Sequence, residues 1–532
     1  MAVASSALPQ ESLVAIIGSG TMGAGIAQVA AAAGHPVVLY DIRADAVQAA
    51  IGNIRQNFQK LAAKGKLSTA SAESASARLR VASNLGELRE AKIVIEAIAE
   101  DLDIKRRLFR ELEGIVDADC IFATNTSSLS ISAIAASLSA PTRLVGMHFF
   151  NPAPLMDLVE VINGVATDSQ LLETVHATAA AWGKTPVHAK STPGFIVNRV
   201  ARPYYGEALL LLAEQAASPA TIDALMREAG GFRMGPFELM DLVGLDIGLA
   251  VSQSLFNAYF GDARYRPSFI QQEMVRAGHL GKKTGRGFYQ YGENAKPPQP
   301  HTEPPSPKPQ RVTLPSEGSL AEALAERLAG SSVTVIRETS RVGHAGYVEI
   351  GDMVLTVSDG RCATQVAHET GRRNCLTIDL ALDYAKATRV GVAVASNCDE
   401  RAYVSAVGLL QAAGYEVSRI KDVPGMAVMR TVTMLANEAA DAVNQGVATV
   451  SDVDIAMRKG VNYPRGPLAW ADELGLGAVH RVLANLSAHY GGERYRVSPL
   501  IQHLVWGGKR FHDLEAGEQH SVAMMASNRD HS

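Results

Sequence analysis

The sequence predicts an α/β protein in four parts: a parallel-sheet domain, an all-helical domain, a degenerate α/β unit and a second copy of the helical domain. Three observations predict this. Apolar runs alternate with helical stretches up to residue 191, a wholly helical stretch follows Pro193, and an offset of 231 residues maps that stretch onto a later one. A chain of 532 residues has room for about three or four domains.

Taken in order, residues 13–17 form an apolar run that ends in a glycine-rich turn. Residues 37–40, 93–95, 120–123 and 144–147 read as further buried strands, and strands separated by helical stretches imply a parallel sheet. Helical stretches such as 208–215 and 222–229 then carry the chain to about Tyr291. Eight prolines between Pro297 and Pro315 predict a stiff, extended linker with little to pack. Strand candidates return at 333–336, 354–357, 376–378 and 390–394, and the last helical stretch begins near Pro424. The expected boundaries are 1–191, 192–292, 293–315, 316–422 and 423–520.

The offset is the strongest organising clue. Adding 231 converts Gly183, Lys190, Pro193, Gly194, Arg199, Glu207, Asp223, Arg227, Gly235, Pro236, Asp241 and Gly244 into Gly414, Lys421, Pro424, Gly425, Arg430, Glu438, Asp454, Arg458, Gly466, Pro467, Asp472 and Gly475. The helical domain is therefore duplicated, and two copies do not make a solenoid.

Composition excludes several classes. The chain is 47% hydrophobic and 20% charged, which rules out a disordered chain. A net charge of −4 argues against a nucleic-acid or membrane-surface binder. No apolar run approaches a membrane span. No Lys or Arg precedes Arg43, so a signal or transit peptide is not expected. Cys120, Cys362, Cys375 and Cys398 lack CxxC spacing and read as reduced thiols of a cytoplasmic protein, with no metal site expected.

Gly18, Gly20 and Gly23 form GxGxxG between a strand pattern and a helix pattern, and the next strand ends in Asp41. This is the Rossmann dinucleotide pattern. Gly18 permits the tight turn, Gly20 lets the backbone approach the pyrophosphate, and Gly23 lets helix and strand pack closely. Free N–H groups at the helix start, Thr21 and Met22, would hold the phosphates. Asp41 can accept hydrogen bonds from the adenosine ribose, which favours NAD over NADP, although Arg43 stands close.

His148 follows the strand 144–147, and Glu160 lies 12 residues later. A strand end of an open α/β sheet is where ligands sit. Histidine suits proton removal near neutral pH, and a carboxylate on the far ring nitrogen fixes its tautomer.

With the glycine loop, Thr124-Asn-Thr-Ser-Ser-Leu129, His148-Phe-Phe-Asn-Pro-Ala-Pro154 and Pro193-Gly-Phe-Ile-Val-Asn-Arg199, the chain resembles the L-3-hydroxyacyl-CoA dehydrogenase family from residue 13 to about 291. The resemblance implies a histidine that takes the proton of the 3-hydroxyl while C3 gives a hydride to NAD. It places that histidine at His148 and its partner at Glu160. It assigns Ser127 and Asn198 to the substrate oxygen, with Asn151 supporting the site. It puts Glu100, Lys105, Ser127 and Lys283 beside NAD, and Lys64 and Asn57 near the CoA moiety. A serine before Ser-Leu also suits a helix N-cap, and Lys60, Lys64 and Lys66 also suit a solvated helix face.

The second half serves as an internal control. Asn198 maps to Met429, residues 316–423 hold no GxGxxG, and no histidine falls between His368 and His480. It reads as a catalytically empty relic. This matches the longer bacterial members of the family, some of which act on 3-hydroxybutyryl-CoA and some on 3-hydroxyadipyl-CoA in phenylacetate breakdown. The short members' habit of dimerising through helical domains implies either a homodimer or a fused pseudo-dimer, in which residues 424–510 pack on 193–291. Two alternatives stay open: a dehydrogenase of a hydroxy acid not joined to CoA, and a non-catalytic NADH-binding protein on the same fold.

Overall fold

The computed structural model describes residues 6–293, 295–296, 298–338 and 347–514. Pro297 of the expected linker and residues 515–520 of the last expected domain lie outside the described residues.

The first sheet contains β1 (Val14–Ile17), β2 (Val37–Tyr40), β3 (Leu79–Val81), β4 (Ile93–Glu96), β5 (Ile121–Thr124), β6 (Leu144–Phe149), β7 (Leu158–Asn163) and β8 (Thr185–Lys190). Its order is β3-β2-β1-β4-β5-β6-β7-β8. Strands β1, β4, β5 and β6 are buried at every position, as expected for a sheet covered on both faces. The sheet is not wholly parallel: β6 and β7 run antiparallel. Residues 150–157 join them without a helix, and a parallel return needs a crossover of about a dozen residues or more. That reversal sets His148 directly opposite Glu160 in the register.

The second sheet contains β9 (Arg311–Pro315), β10 (Thr334–Glu338), β11 (Val348–Ile350), β12 (Met353–Val357), β13 (Cys375–Ile378), β14 (Arg389–Val394) and β15 (Glu416–Arg419). Its order is β10-β9-β11-β12-β13-β14-β15, again with an antiparallel pair, β13–β14, followed by a parallel one, β14–β15.

The proline-rich segment is extended, as its composition predicts, but it does pack. The Glu303 N–H donates to the Val417 carbonyl at 2.8 Å, and the Ser418 hydroxyl donates to the His301 carbonyl at 2.6 Å. A Cβ on Gly408 would meet the Pro307 carbonyl oxygen at 2.0 Å. The segment expected as linker up to residue 315 therefore lies along the second α/β unit, and its last five residues form β9.

The chain forms two compact units. One is Met1–Arg199 with Gln445–Val461, and the other is Val200–Asn444 with Asn462–Ser532. In the first, the helix Val450–Gly460 of the second copy lies against β7 and β8. The Lys190 N–H donates to the Val447 carbonyl at 2.8 Å. In the second, the equivalent helix Pro219–Glu228 of the first copy lies against β14, and the Lys421 N–H donates to the Ala216 carbonyl at 2.8 Å. Since 190 + 231 is 421 and 216 + 231 is 447, the two bonds are the same bond made reciprocally.

Inside the second unit, the helix Arg202–Ala213 packs on the helix Val428–Asn444. The buried Arg430 guanidinium reaches Glu207 at 2.8 Å and Glu214 at 2.9 Å across this pair. Arg494 bonds the other Glu207 oxygen at 2.7 Å. Among the described residues the four cysteines are free, and no single helix is long and apolar enough to cross a membrane.

Candidate active site

His148 and Glu160 are each the strand residue that the antiparallel register brings opposite the other. His148 Nδ1 lies 2.7 Å from Glu160 Oε2, and both side chains are buried. Glu160 Oε1 accepts the N–H groups of Ile196 and Val197, each at 3.0 Å. The carboxylate is thus fixed at both oxygens, one on the imidazole and one on the start of the helix Val197–Val200. Phe150 and Phe195 confine the imidazole, with ring centroids 4.6 and 5.9 Å away. The sequence reading did not single out either ring. Phe150 stands in the His148-Phe-Phe motif and Phe195 in the Pro193-Gly-Phe motif, where a turn of positive φ (46°) brings it to the imidazole.

The glycine loop joins β1 to the helix Thr21–Ala32. Gly18 has φ of +102°, and a Cβ there would meet the Ala97 carbonyl oxygen at 2.4 Å. A Cβ on Gly23 would meet the Gly18 carbonyl oxygen at 1.8 Å, so only glycine lets the helix approach the strand. A Cβ on Gly20 would meet nothing within 4 Å. Its side is open, and no side chain caps the helix start at Thr21 and Met22. An uncapped helix N-terminus beside open space is what a pyrophosphate requires. Asp41 directly follows β2 and touches this loop: its Oδ2 accepts both the N–H and the hydroxyl of Ser19 at 2.8 Å. Burial pushes the Asp41 carboxyl up, but the Ser19 and Arg43 donors outweigh it and hold the group below its usual range. It stays an anion that can accept from a ribose and repel a phosphate.

A third cluster centres on Glu96, which is fully buried and was not expected to matter. It takes the Lys105 ammonium at 2.5 Å, the Thr124 hydroxyl at 2.7 Å and the Ile98 N–H at 2.7 Å. Lys105 also pairs with Glu100 at 3.3 Å. Glu100 Oε1 accepts the Thr126 hydroxyl at 2.6 Å and the Ser127 N–H at 3.1 Å. Burial would raise the Glu100 carboxyl, but Thr126 and the Lys105 charge more than offset it and hold it low. Ser127 itself is exposed, and its carbonyl accepts Asn198 Nδ2 at 3.5 Å. Ser127 is not a helix cap: the cap of the helix Ile131–Ala135 is Ser130, whose hydroxyl accepts the Ala133 N–H.

Two domain descriptions cover most of the chain. The "3-hydroxyacyl-CoA dehydrogenase, NAD binding domain" matches residues 13–192, and the "3-hydroxyacyl-CoA dehydrogenase, C-terminal domain" matches twice, at 194–291 and 425–511. Residues 355–424 match a "3-hydroxybutyryl-CoA dehydrogenase reduced Rossmann-fold domain". A protein of Escherichia coli named 3-hydroxyadipyl-CoA dehydrogenase is 43% identical over 92% of this chain and 96% of its own length. The chain belongs to the 3-hydroxyacyl-CoA dehydrogenase family. It is an NAD-dependent oxidoreductase.

A crystal structure of a 3-hydroxybutyryl-CoA dehydrogenase from E. coli K12 superposes with a TM-score of 0.84 at 42% identity, covering 93% of this chain and 98% of that one. A shorter 3-hydroxybutyryl-CoA dehydrogenase from Clostridioides difficile is 41% identical over 53% of this chain and 99% of itself. That relative spans about half of this chain. Of the remaining expected residues, Lys105 is 1% exposed, with its ammonium held by the carboxylates of Glu96 and Glu100. Lys283 pairs with Asp246 at 2.6 Å. Lys64 caps the helix Ala44–Ala63 and is exposed like Lys60 and Lys66, and Asn57 Nδ2 donates to Gln28 at 3.3 Å. Asn151 is exposed on the loop after β6.

The 231 offset reaches further back than the sequence showed. It carries β7 onto β14 and the helix Ser169–Ala181 onto Glu400–Ala412, residue for residue. It carries Ser127 to Ser358, His148 to Asp379, Glu160 to Gly391 and Asn198 to Met429. Asp379 Oδ2 accepts the N–H groups of Ala427 and Val428 at 2.9 and 2.8 Å, the same two amides, by offset, that Glu160 holds in the first half. The relic keeps the carboxylate's anchoring role and lacks the imidazole.

Proposed function

We propose that His148 is the general base for oxidation of (S)-3-hydroxyacyl-CoA to 3-oxoacyl-CoA, oriented by Glu160. The observation that carries this is the 2.7 Å Nδ1–Oε2 contact on a carboxylate whose other oxygen is held by two backbone amides. A carboxylate on Nδ1 puts the proton there and leaves Nε2 as the acceptor. As His148 takes the 3-hydroxyl proton, Glu160 balances the imidazolium charge. Asn198 and Ser127 border the same site and orient the substrate oxygen. Gly18, Gly20, Thr21, Met22, Gly23 and Asp41 hold the dinucleotide, and Glu100, placed by Lys105, lies beside it. Bound NAD supplies the acceptor for the hydride leaving C3. Lys64, with Asn57, faces the CoA phosphates, Asn151 supports the acyl end and Lys283 lies on the cofactor side.

The acyl group is short or dicarboxylic, a reading that the name of the full-length relative supports, and the enzyme acts in the breakdown of compounds such as phenylacetate, in the cytoplasm. The two helical copies act as a fused pseudo-dimer. The test is NADH formation from NAD with (S)-3-hydroxybutyryl-CoA and, in parallel, (S)-3-hydroxyadipyl-CoA. Turnover on at least one is expected, and the ratio of kcat/KM values assigns the substrate. His148→Gln is expected to lower kcat by about 10²- to 10⁴-fold with NADH binding kept. Native turnover in that variant would refute the assignment of the base.

A further inference from the structure

A second cluster of chemistry-bearing side chains, on the helix Ser169–Ala181 and β8, has no part in the reaction. Glu173 and His176 stand three residues apart on the helix Ser169–Ala181, hence on one face of it. That helix packs on β8, which carries His188. One donor atom from each residue, a Glu173 carboxylate oxygen and a ring nitrogen of each histidine, all lie within 4.8 Å of one another. His188 Nε2 is 3.5 Å from Glu173 Oε1. The two imidazoles stack, with centroids 4.3 Å and planes 8° apart.

We propose that Glu173, His176 and His188 form a binding site for a divalent transition-metal ion of the Zn²⁺ class. Two imidazoles and one carboxylate are a donor set that suits Zn²⁺, Co²⁺ or Ni²⁺; Mg²⁺ and Ca²⁺ take oxygen ligands. His176 is already oriented as metal-binding histidines are. It donates one ring N–H to the Pro186 carbonyl, which favours one tautomer and leaves the other nitrogen as the donor atom. His188 Nδ1 is buried without a hydrogen-bond partner, so the pair of rings contains a nitrogen the fold itself does not satisfy. Asp452, in the first turn of the helix Val450–Gly460, adds its negative charge to the field at His176. Glu173 is exposed, so the fourth coordination position opens to water.

Such an ion would tie the helix Ser169–Ala181 to β8, the strand that receives the second copy's helix. The site is a staple at the seam of the duplication and has no role in hydride transfer.

The test uses the full, tag-free chain. Co²⁺ is expected to bind one per chain with the intense visible bands of four-coordinate cobalt, Zn²⁺ is expected to displace it, and Zn²⁺ is expected to raise Tm. His176→Gln and His188→Gln should each weaken Co²⁺ binding by about 100-fold or more and abolish the Zn²⁺ shift, while His148→Gln should keep both. Glu173→Gln, on an exposed side chain, gives the same readout if a histidine variant folds poorly. The absence of bands and of a Tm rise in the native chain overturns the proposal. So do bands that survive His176→Gln with His188→Gln, or bands lost only in His148→Gln.

Discussion

Glu160 does two things at once, and the second half of the chain separates them. One oxygen holds His148, and the other holds the amides of Ile196 and Val197. At the position of His148 the relic has Asp379, which takes over the amide anchoring and needs no histidine. Burial pushes the Asp379 carboxyl up to about 6, against the pull of the Met429, Val428 and Ala427 amides. Anchoring the two amides therefore serves the fold and needs no imidazole. Glu160→Gln keeps an oxygen for the amides but loses the tautomer control, so kcat is expected to fall by about 10²-fold or more with little change in Tm. Stopped-flow turnover and calorimetry on one preparation check both halves of that statement. Equal losses of stability and turnover would sink it. Lys105 shows what residue-level reading leaves out: its ammonium is buried on Glu96, a residue no motif marked.

At the scale of elements, the helices Arg202–Ala213 and Val428–Asn444 meet through ions inside the core. Glu207 and Arg430 are both fully buried, and Arg494 and Tyr495 complete the group. Burial works against the Glu207 charge, but Arg494 and Arg430 outweigh it and hold the carboxyl below its usual value. Removing Glu207 leaves buried Arg430 with Glu214 as its one carboxylate and takes the carboxylate from Arg494, so Glu207→Ala is expected to cost about 3–5 kcal/mol, read by urea denaturation at pH 7. The sign in pH follows from the lowered folded value. The stabilisation is complete above the ordinary glutamate range near 4.5 and is lost as pH falls through the lower folded value. The difference between native and variant should therefore shrink in acid, and a difference that grows there would contradict the assignment. The strands before the helical domain were legible because they are continuous apolar runs. Strands β3, β7 and β8 were not marked. Each is short or carries polar residues at intervals, as in Thr185-Pro-Val-His-Ala-Lys190, so its partners decided it.

At the scale of the molecule, the duplication is an exchange. Each copy's helix after the long core helix leaves its own half and packs on the other half's sheet: Val450–Gly460 on β7 and β8, and Pro219–Glu228 on β14. Gly460 shows how close that approach is, since a Cβ there would meet Leu158 Cδ2 at 2.6 Å and Val197 Cγ2 at 3.1 Å. Leu158 begins the strand of Glu160, and Val197 supplies one of its amides. The second half thus buttresses the Glu160 carboxylate. Residues 1–292 alone lack this helix. The fragment is expected to have a lower Tm and lower kcat than the full chain, or to recover both by dimerising, as read by analytical ultracentrifugation with activity. A monomeric fragment with native turnover and stability would refute the fused-partner reading.

The sequence by itself determined the dinucleotide loop, the dyad and the duplication. Each rests on local chemistry or on a fixed offset: glycines that only a close approach requires, a histidine at a strand end, and residues repeated every 231 positions. Tertiary structure alone decided the antiparallel turn that faces His148 with Glu160, the pairing of the proline-rich segment with the second sheet, and the exchange of helices between halves. Those depend on which surfaces meet after the elements form. Backbone amides and apolar faces carry no mark in the sequence of the partner that will satisfy them.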